Sequence, residues 1–266
     1  MINFQLKPIE ETLPAGTPGN LSMSWFWLTY GDLWLKLGNE TLYEYSPEAI
    51  AYFGNGKSRF NDYPIVRFIE DFTELFERIS EPIPDDVYAL TANLNQFRKD
   101  AQAWLELHES DDNAFYFQAF DPLISWTYNR TFDSGHLKGG PGFSFFRNKD
   151  SIRIVWNTEF QLENGIELWT SKNGSIEIPY SNFIASIQDF GRRFFYKMNE
   201  KVQLALEKNW NDIQIDKFRL SEEHSEREVD FWKQFNFLGS DQISHTNWDQ
   251  IRALIQRMNR DLKASD

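Results

Sequence analysis

The chain contains no cysteine, so it has no thiolate nucleophile, thiolate metal site or disulfide, and acid–base or metal chemistry falls first to histidine. The histidines are His108, His136, His224 and His245. None stands in a His-Glu-x-x-His pattern or another two-histidine helical spacing that would grip zinc. His108, with Glu106, Glu109, Asp111 and Asp112 nearby, could be a carboxylate-tuned base, but a solvated helix end accounts for it better. His224 lies in Glu222-Glu223-His224-Ser225-Glu226, which reads as a solvated face. His136 is the strongest of the four. It sits in Ser134-Gly135-His136-Leu137-Lys138-Gly139-Gly140-Pro141-Gly142, where glycines such as Gly139 and Gly140 could bare backbone N–H groups to an anion. Lys138 would add charge there, and His136 could move a proton near neutral pH. The segment lacks the Gly-x-x-x-x-Gly-Lys-Ser/Thr spacing and leads into a strand, whereas a phosphate loop leads into a helix. A turned connector is the competing reading.

Other chemistry is not visible. There is no Gly-x-Ser-x-Gly elbow, Ser-x-x-Lys set, kinase signature or calcium loop. The doublets Asp85-Asp86, Asp111-Asp112 and Glu222-Glu223 isolate no acid–base pair. No catalytic residue, metal site or cofactor is assigned.

Charge is more informative. Asp and Glu number 40 against 27 Lys and Arg, a net charge of −13, which repels nucleic acid and anionic membrane. Residues 70–86 carry Glu70, Asp71, Glu74, Glu77, Glu81, Asp85 and Asp86 against Arg78, residues 106–112 add four acids, and residues 222–230 add five against Arg227. Residues 138–153 are basic, with Lys138, Arg147, Lys149 and Arg153 against Asp150. A solubility surface is the plain reading. The sharper one makes Glu70, Asp71, Glu74 and Glu77 an acidic face for a basic protein partner.

The elements that would position these residues follow from periodicity. At 266 residues with 41% hydrophobic and 17% aromatic composition, the chain should bury roughly 70–75% of its unfolded surface. That excludes disorder and coiled coil. No apolar run approaches the ~20 residues of a membrane span, and Met1-Ile2-Asn3-Phe4 does not begin a secretory signal. A cytoplasmic location is expected. Residues 1–20, punctuated by Pro8, Pro14 and Pro18, read as an extended arm. Ser24 to Tyr30, Leu33 to Leu37 and Thr41 to Tyr45 read as a three-stranded meander, with Tyr30-Gly31-Asp32 and Gly38-Asn39-Glu40 as turns. Trp25, Trp27, Trp34, Trp156 and Trp169 would then lie on strands as core rather than as a sugar- or peptide-binding platform. Apolar spacing of three and four predicts a helix over Ile65 to Ile79, a second over Val87 to Trp104, and a shorter one over Phe115 to Tyr128. Phe143 to Arg147, Ser151 to Phe160, Gly165 to Ser171 and Ser175 to Ile178 predict a four-stranded meander turned at Asn164-Gly165 and Asn173-Gly174. A long helix capped by Ser181 follows, then a polar hinge near Asn209 to Leu220, Val229 to Phe235, and a last helix capped by Asn247.

Runs of hairpins and separate runs of helices make this an α+β fold, antiparallel meanders packed on amphipathic helices. The meanders could join in one sheet of about seven strands. The expected division is a core domain at 1–212 and a C-terminal helical extension at 213–266.

Three segments carry a resemblance: Leu21-Ser22-Met23-Ser24-Trp25-Phe26-Trp27-Leu28-Thr29-Tyr30-Gly31, Gly139-Gly140-Pro141-Gly142-Phe143-Ser144-Phe145-Phe146-Arg147-Asn148-Lys149-Asp150, and Ile152-Arg153-Ile154-Val155-Trp156. Together they resemble an uncharacterised bacterial family, the domain-of-unknown-function family 5984, over Phe4 to about Val202 and toward the C-terminal helices. The resemblance carries no activity. Small acidic bacterial proteins of this kind often look like immunity partners of toxins, an association and not a derivation. The expected function is therefore a non-enzymatic interaction protein, most plausibly an immunity protein that binds a basic toxin. The alternative is an enzyme or anionic-ligand binder using His136, Lys138, Gly139 and Gly140.

Overall fold

The structure is a computed structural model that describes residues 1–54, 56–108, 114–240 and 246–265. Residues 1–20 are not a free arm. Ile2-Asn3-Phe4-Gln5-Leu6 alternates apolar and polar, and it forms β1 (Ile2–Leu6). A hairpin of β2 (Ala15–Thr17) and β3 (Asn20–Ser22) follows. The expected first strand of the meander is instead a single helical turn, α1 (Trp25–Leu28). Trp25 and Leu28, three apart, are both buried, while Phe26 and Trp27 pack edge to face beside them. Trp25 and Trp27 are thus not strand residues.

The Tyr30-Gly31-Asp32 segment does not turn either. It opens β4 (Tyr30–Leu37), the strand that pairs with β1, with β5 (Glu40–Leu42) and with β6 (Asn61–Pro64). A Cβ at Gly31 would stand 2.5 Å from the Gln5 carbonyl oxygen, so the glycine serves close approach of β1. The short helix α2 (Pro47–Phe53) lies between β5 and β6 and is capped by Ser46, whose hydroxyl accepts the Ala49 N–H at 3.0 Å.

The Ile65–Ile79 stripe is buried as expected, but two helices share it, α3 (Ile65–Thr73) and α4 (Phe76–Ser80). Phe72 and Phe76 meet edge to face across the break, 5.0 Å between centroids. The next helix is likewise divided, into α5 (Asp85–Tyr88), a 3₁₀ turn (Ala89–Asn93) and α6 (Leu94–Leu107). A π turn (Tyr116–Phe120) leads into α7 (Asp121–Tyr128), with Pro122 in its first turn.

The second sheet has the order β10–β9–β8–β7, all antiparallel, from β7 (Thr131–Phe132), β8 (Gly142–Asn148), β9 (Ser151–Asn157) and β10 (Gly174–Pro179). Gly165 to Ser171 is not a member. It forms an excursion turned at Asn164-Gly165, tied by isolated bridges Gln161–Glu167 and Tyr45–Trp169. Its Trp169 indole donates to the Gly139 carbonyl at 2.7 Å, a side-chain bond added to the few main-chain bonds around those bridges. β2 and β3 form a third sheet with β11 (Ile213–Gln214), so the strands make three sheets and not one of seven.

Three helices complete the chain: α8 (Tyr180–Glu207), α9 (Lys217–Leu238) and α10 (Trp248–Ser265). α8 starts at Tyr180 with Pro179 at its cap position, one residue before the expected Ser181 could act. Asn247 caps α10 as expected, its side-chain oxygen accepting the Gln250 N–H at 3.1 Å.

Both faces of the second sheet are covered. Phe143, Phe145, Ile152, Ile154 and Trp156 enter a core shared with the first sheet, α3, α4, α8 and α9. Phe146 faces the other way, into a core of α5, α6, α7 and α10. The adjacent pair Phe145-Phe146 therefore serves two cores, and the fold is α+β. Among the described residues, no helix is long and apolar enough to cross a membrane.

Candidate functional site

The acids at 70–86 are mostly engaged within the molecule. Glu70 is held by Arg67 at 3.4 Å and, more closely, by Arg227. Asp71 lies 3.3 Å from Arg67 and 3.4 Å from Nδ1 of His136. Glu81 is buried against Arg130, Asp85 meets Lys149 at 2.9 Å, and Asp86 meets Arg252 at 2.7 Å. Most of these pairs are solvated, so each contributes little stability. Their effect is to leave much less free charge than the sequence suggests.

Glu74, on the exposed shoulder after α3, has no ion pair among the described residues. It lines a groove of about 310 Å³ between α3 and α9. Trp25, Ile69, Phe195 and Phe231 supply its apolar surface, and Asp230 and Lys233 stand on the α9 side. Asp230 is likewise exposed and without an ion pair among the described residues. The groove thus offers an apolar floor between Glu74 and Asp230, with Lys233 at its rim and the Glu70–Arg227 pair closing one wall. Glu77 and Asp71 are not among its lining residues.

Beneath the groove, His224 is buried and its Nδ1 accepts the Trp25 indole N–H at 3.2 Å. The solvated reading of His224 is therefore wrong. Its side chain falls on the one face of α9 that meets α1, a partner 199 positions away in sequence. Burial pushes its pKa down, and Glu228 nearby only partly offsets this. Arg227 packs over the same Trp25 ring, 5.5 Å from its centroid. Sequence reasoning missed Arg227, Asp230, Phe231 and Trp25 as groove residues. The signal available was Arg227 itself, the lone base in an acidic run.

The glycine loop is joined to this region through His136. Its imidazole is largely buried, packs on Tyr63 at 5.0 Å, and lies 3.4 Å from Asp71 as a close charge contact. Burial lowers its pKa, with Asp71 pulling the other way. The structure thus unites two expected residues, Asp71 and His136, that lie 65 positions apart.

Part of the loop's backbone is committed. The N–H groups of Gly135, Leu137 and Gly140 donate to Asp133 Oδ1, Ser134 O and Leu137 O. Gly139 has φ +67°, and a Cβ there would strike the Phe160 ring at 2.3 Å. Lys138 reaches Glu163 at 3.5 Å in solvent and borders a pocket of about 230 Å³ walled by Tyr45, Tyr52, Phe53 and Trp169. These contacts pin the loop at Gly135, Leu137, Gly139 and Gly140.

His108, expected as a solvated helix end, does close α6. It also lies 3.2 Å from Asp261 and stacks on Phe115 at 4.3 Å. Its sequence neighbours Glu109, Asp111 and Asp112, like His245, lie outside the described residues. The most concentrated hydroxyl chemistry is the 2.5 Å contact of Tyr43 with Ser134, both at positive φ. Both are fully buried, so no substrate reaches them. Among the described residues, no three His, Asp or Glu side chains converge as metal ligands.

Comparison with known families gives one match. The model for a family of unknown function (DUF5984) covers residues 1–254, and the chain belongs to that family. No curated protein and no solved structure matches the chain.

Proposed function

We propose that this member of the family is a non-enzymatic protein-binding protein, acting in the cytoplasm, that takes a basic, partly apolar segment of a partner into the α3–α9 groove. The observation that carries the reading is the pairing of an apolar floor with two unengaged carboxylates, Glu74 and Asp230, in one open groove. A segment with a large apolar side chain flanked by Lys or Arg would bury the first and pair with the second. The net charge of −13 would speed encounter with a basic partner and discourage acidic ones. The more specific proposal, that the partner is a toxin and the protein its immunity factor, draws support from charge alone. Loop 135–142, the alternative site, has the amides of Gly135, Leu137 and Gly140 bonded within the loop and its flank.

The test is to exchange the two free acids. Glu74→Lys with Asp230→Lys should leave folding intact, because neither residue has an internal ion pair to lose. A partner captured by the wild type should then associate on the order of tenfold more slowly with the variant at low salt. The difference should shrink at high salt, where screening shortens the reach of charge. Unchanged association at both salt concentrations rules the groove out. Co-production with a candidate toxin, read as cell survival, tests the specific form.

A further inference from the structure

We propose that the free edge of β1 is a strand-addition site for an extended, acidic peptide segment lying alongside α8. The residues involved are separate from those of the α3–α9 groove, so the two proposals stand or fall independently.

The hydrogen-bond parity of the strand comes first. Lys36 N–H donates to the Met1 carbonyl and Lys7 N–H to the Tyr30 carbonyl, both at 2.9 Å. Residues 1 and 7 therefore face β4. In an antiparallel pair that role recurs at every second residue, so Asn3 and Gln5 face β4 as well. Ile2, Phe4 and Leu6 point their main-chain groups to the opposite edge. Arg193 takes the first of them, its Nη2 donating to the Ile2 carbonyl at 2.8 Å. The N–H and C=O of Phe4 and of Leu6 have no hydrogen-bond partner among the described residues.

Space exists for a partner. A groove of about 350 Å³ runs beside this edge, lined by Phe4, Gln5 and Leu6 on the strand and by Arg193, Tyr196 and Lys197 on α8. Tyr196 is 62% exposed, a large aromatic left open at the wall. Strand and helix run in the same direction, since α8 touches residue 2 through Arg193 and residue 9 through Lys208. Natural edges are commonly blocked by a bulge, a proline or a covering element. Here Pro8 comes only after the strand, and α8, which packs on it through Phe190 and Phe194 against Phe4, leaves the groove open beside Phe4 and Leu6.

The occupant follows from these groups. Only a main chain in extended form can satisfy alternating N–H and C=O groups along an edge. The charged residues lining the groove are cations, Arg193 and Lys197, with no carboxylate among the lining. Their present partners are Asp189 and Glu200 on the same helix, both at 2.8 Å and solvent-exposed. Such pairs are weak and exchange readily. Arg193 and Lys197 are four residues apart on α8, a rise of about 6 Å. Side chains two apart on a strand are separated by about 6.6 Å. A Glu-x-Glu spacing therefore matches both cations at once.

The test uses a blocked peptide, acetyl-Val-Glu-Val-Glu-Val-Glu-amide, its Val-Lys counterpart, and a version of the first that is N-methylated at alternate residues. Calorimetry and amide hydrogen exchange are read on the full chain. The Glu peptide should bind on the order of tenfold more tightly than the Lys peptide, and Arg193→Glu with Lys197→Glu should reverse that order. Exchange at the Phe4 and Leu6 amides should slow when the Glu peptide binds, and N-methylation should abolish the effect. Leu6→Pro removes an outward N–H and leaves the ladder to β4 complete, so it should lose binding while keeping its circular dichroism. No protection at Phe4 and Leu6, or equal binding of the N-methylated peptide, overturns the proposal. So does a dimer in sedimentation that Leu6→Pro converts to monomer, because the edge is then occupied by a second copy.

Discussion

Lys201 is buried on α8, 5% exposed, and its ammonium has no hydrogen-bond partner among the described residues. Burial drives its pKa down to about 8, with Glu10 pulling weakly upward. Below pH 8 the folded chain holds an unpaired charge that the unfolded chain would solvate. Lys201→Met keeps the volume and drops the charge, so it should stabilise the protein at pH 7 by on the order of 2 kcal/mol. The sign reverses the usual expectation for a core substitution. As pH rises from 8 toward the unfolded value of about 10.5, the native amine is already neutral and the unfolded one loses its proton too. The advantage of Met should therefore fade over that window. Urea unfolding of both proteins at pH 7, 9 and 10.5 checks this, and an unchanging difference would contradict it. The sequence does not mark Lys201 as buried, because it sits among Glu200, Val202 and Gln203. His224 misleads in the same way. Its neighbours in the chain are charged, while its neighbours in space are Trp25 and Phe195.

At the level of elements, apolar spacing of three and four located α3–α4, α6, α8 and α10, because a buried stripe is a local signal. The failures share one cause. Trp25–Leu28 is short enough for one helical turn or a strand, and the choice was made by α9 meeting Trp25. Tyr30-Gly31-Asp32 has turn composition, but the glycine answers to the Gln5 carbonyl of a strand 25 or more positions away. Gly165 to Ser171 alternates like a strand yet spends its bonds on Tyr45 and Gly139. For the site, Glu70 and Glu74 were legible as an acidic helix face. The Arg227 partner of Glu70 was not, since it arrives from the far end of the chain. One contact between helices lends itself to a direct check. At Gly191 of α8 a Cβ would stand 2.2 Å from the buried Phe231 ring of α9. Gly191→Ala gains about 1 kcal/mol of helix propensity, but overpacking costs about 1–3 kcal/mol. The net effect should be destabilising, with a lower urea midpoint and unchanged slope. A midpoint at or above that of the wild type would mean α9 moves aside at no cost.

Across the whole molecule, the second sheet separates two cores, and one buried ion pair stands among the polar links to the outer helical layer. Arg130 and Glu81 are both almost fully buried and pair at 2.5 Å, while Glu81 also accepts the Thr246 N–H and hydroxyl. The Arg130 side chain lies over the Trp248 ring at the start of α10. Arg130→Gln removes the guanidinium from a buried ion pair, and about 3–5 kcal/mol of stability should go with it. Loss of stability below 1 kcal/mol on urea unfolding would mean that water or another group replaces the guanidinium. A different link joins distant parts of the chain. β11 lies parallel to β3, Ile213 opposite Leu21, and this sheet cannot close until residue 213 has been made. At about 5–20 residues per second, the 192 residues that follow Leu21 through Ile213 take on the order of 10–40 s to synthesise. Through that interval β2 and β3 are a lone two-stranded ribbon of three residues each, too small to be stable by itself. The β2–β3 ribbon is thus made long before the strand that secures it, and a nascent chain must carry that open edge of β3 until residue 213 leaves the ribosome.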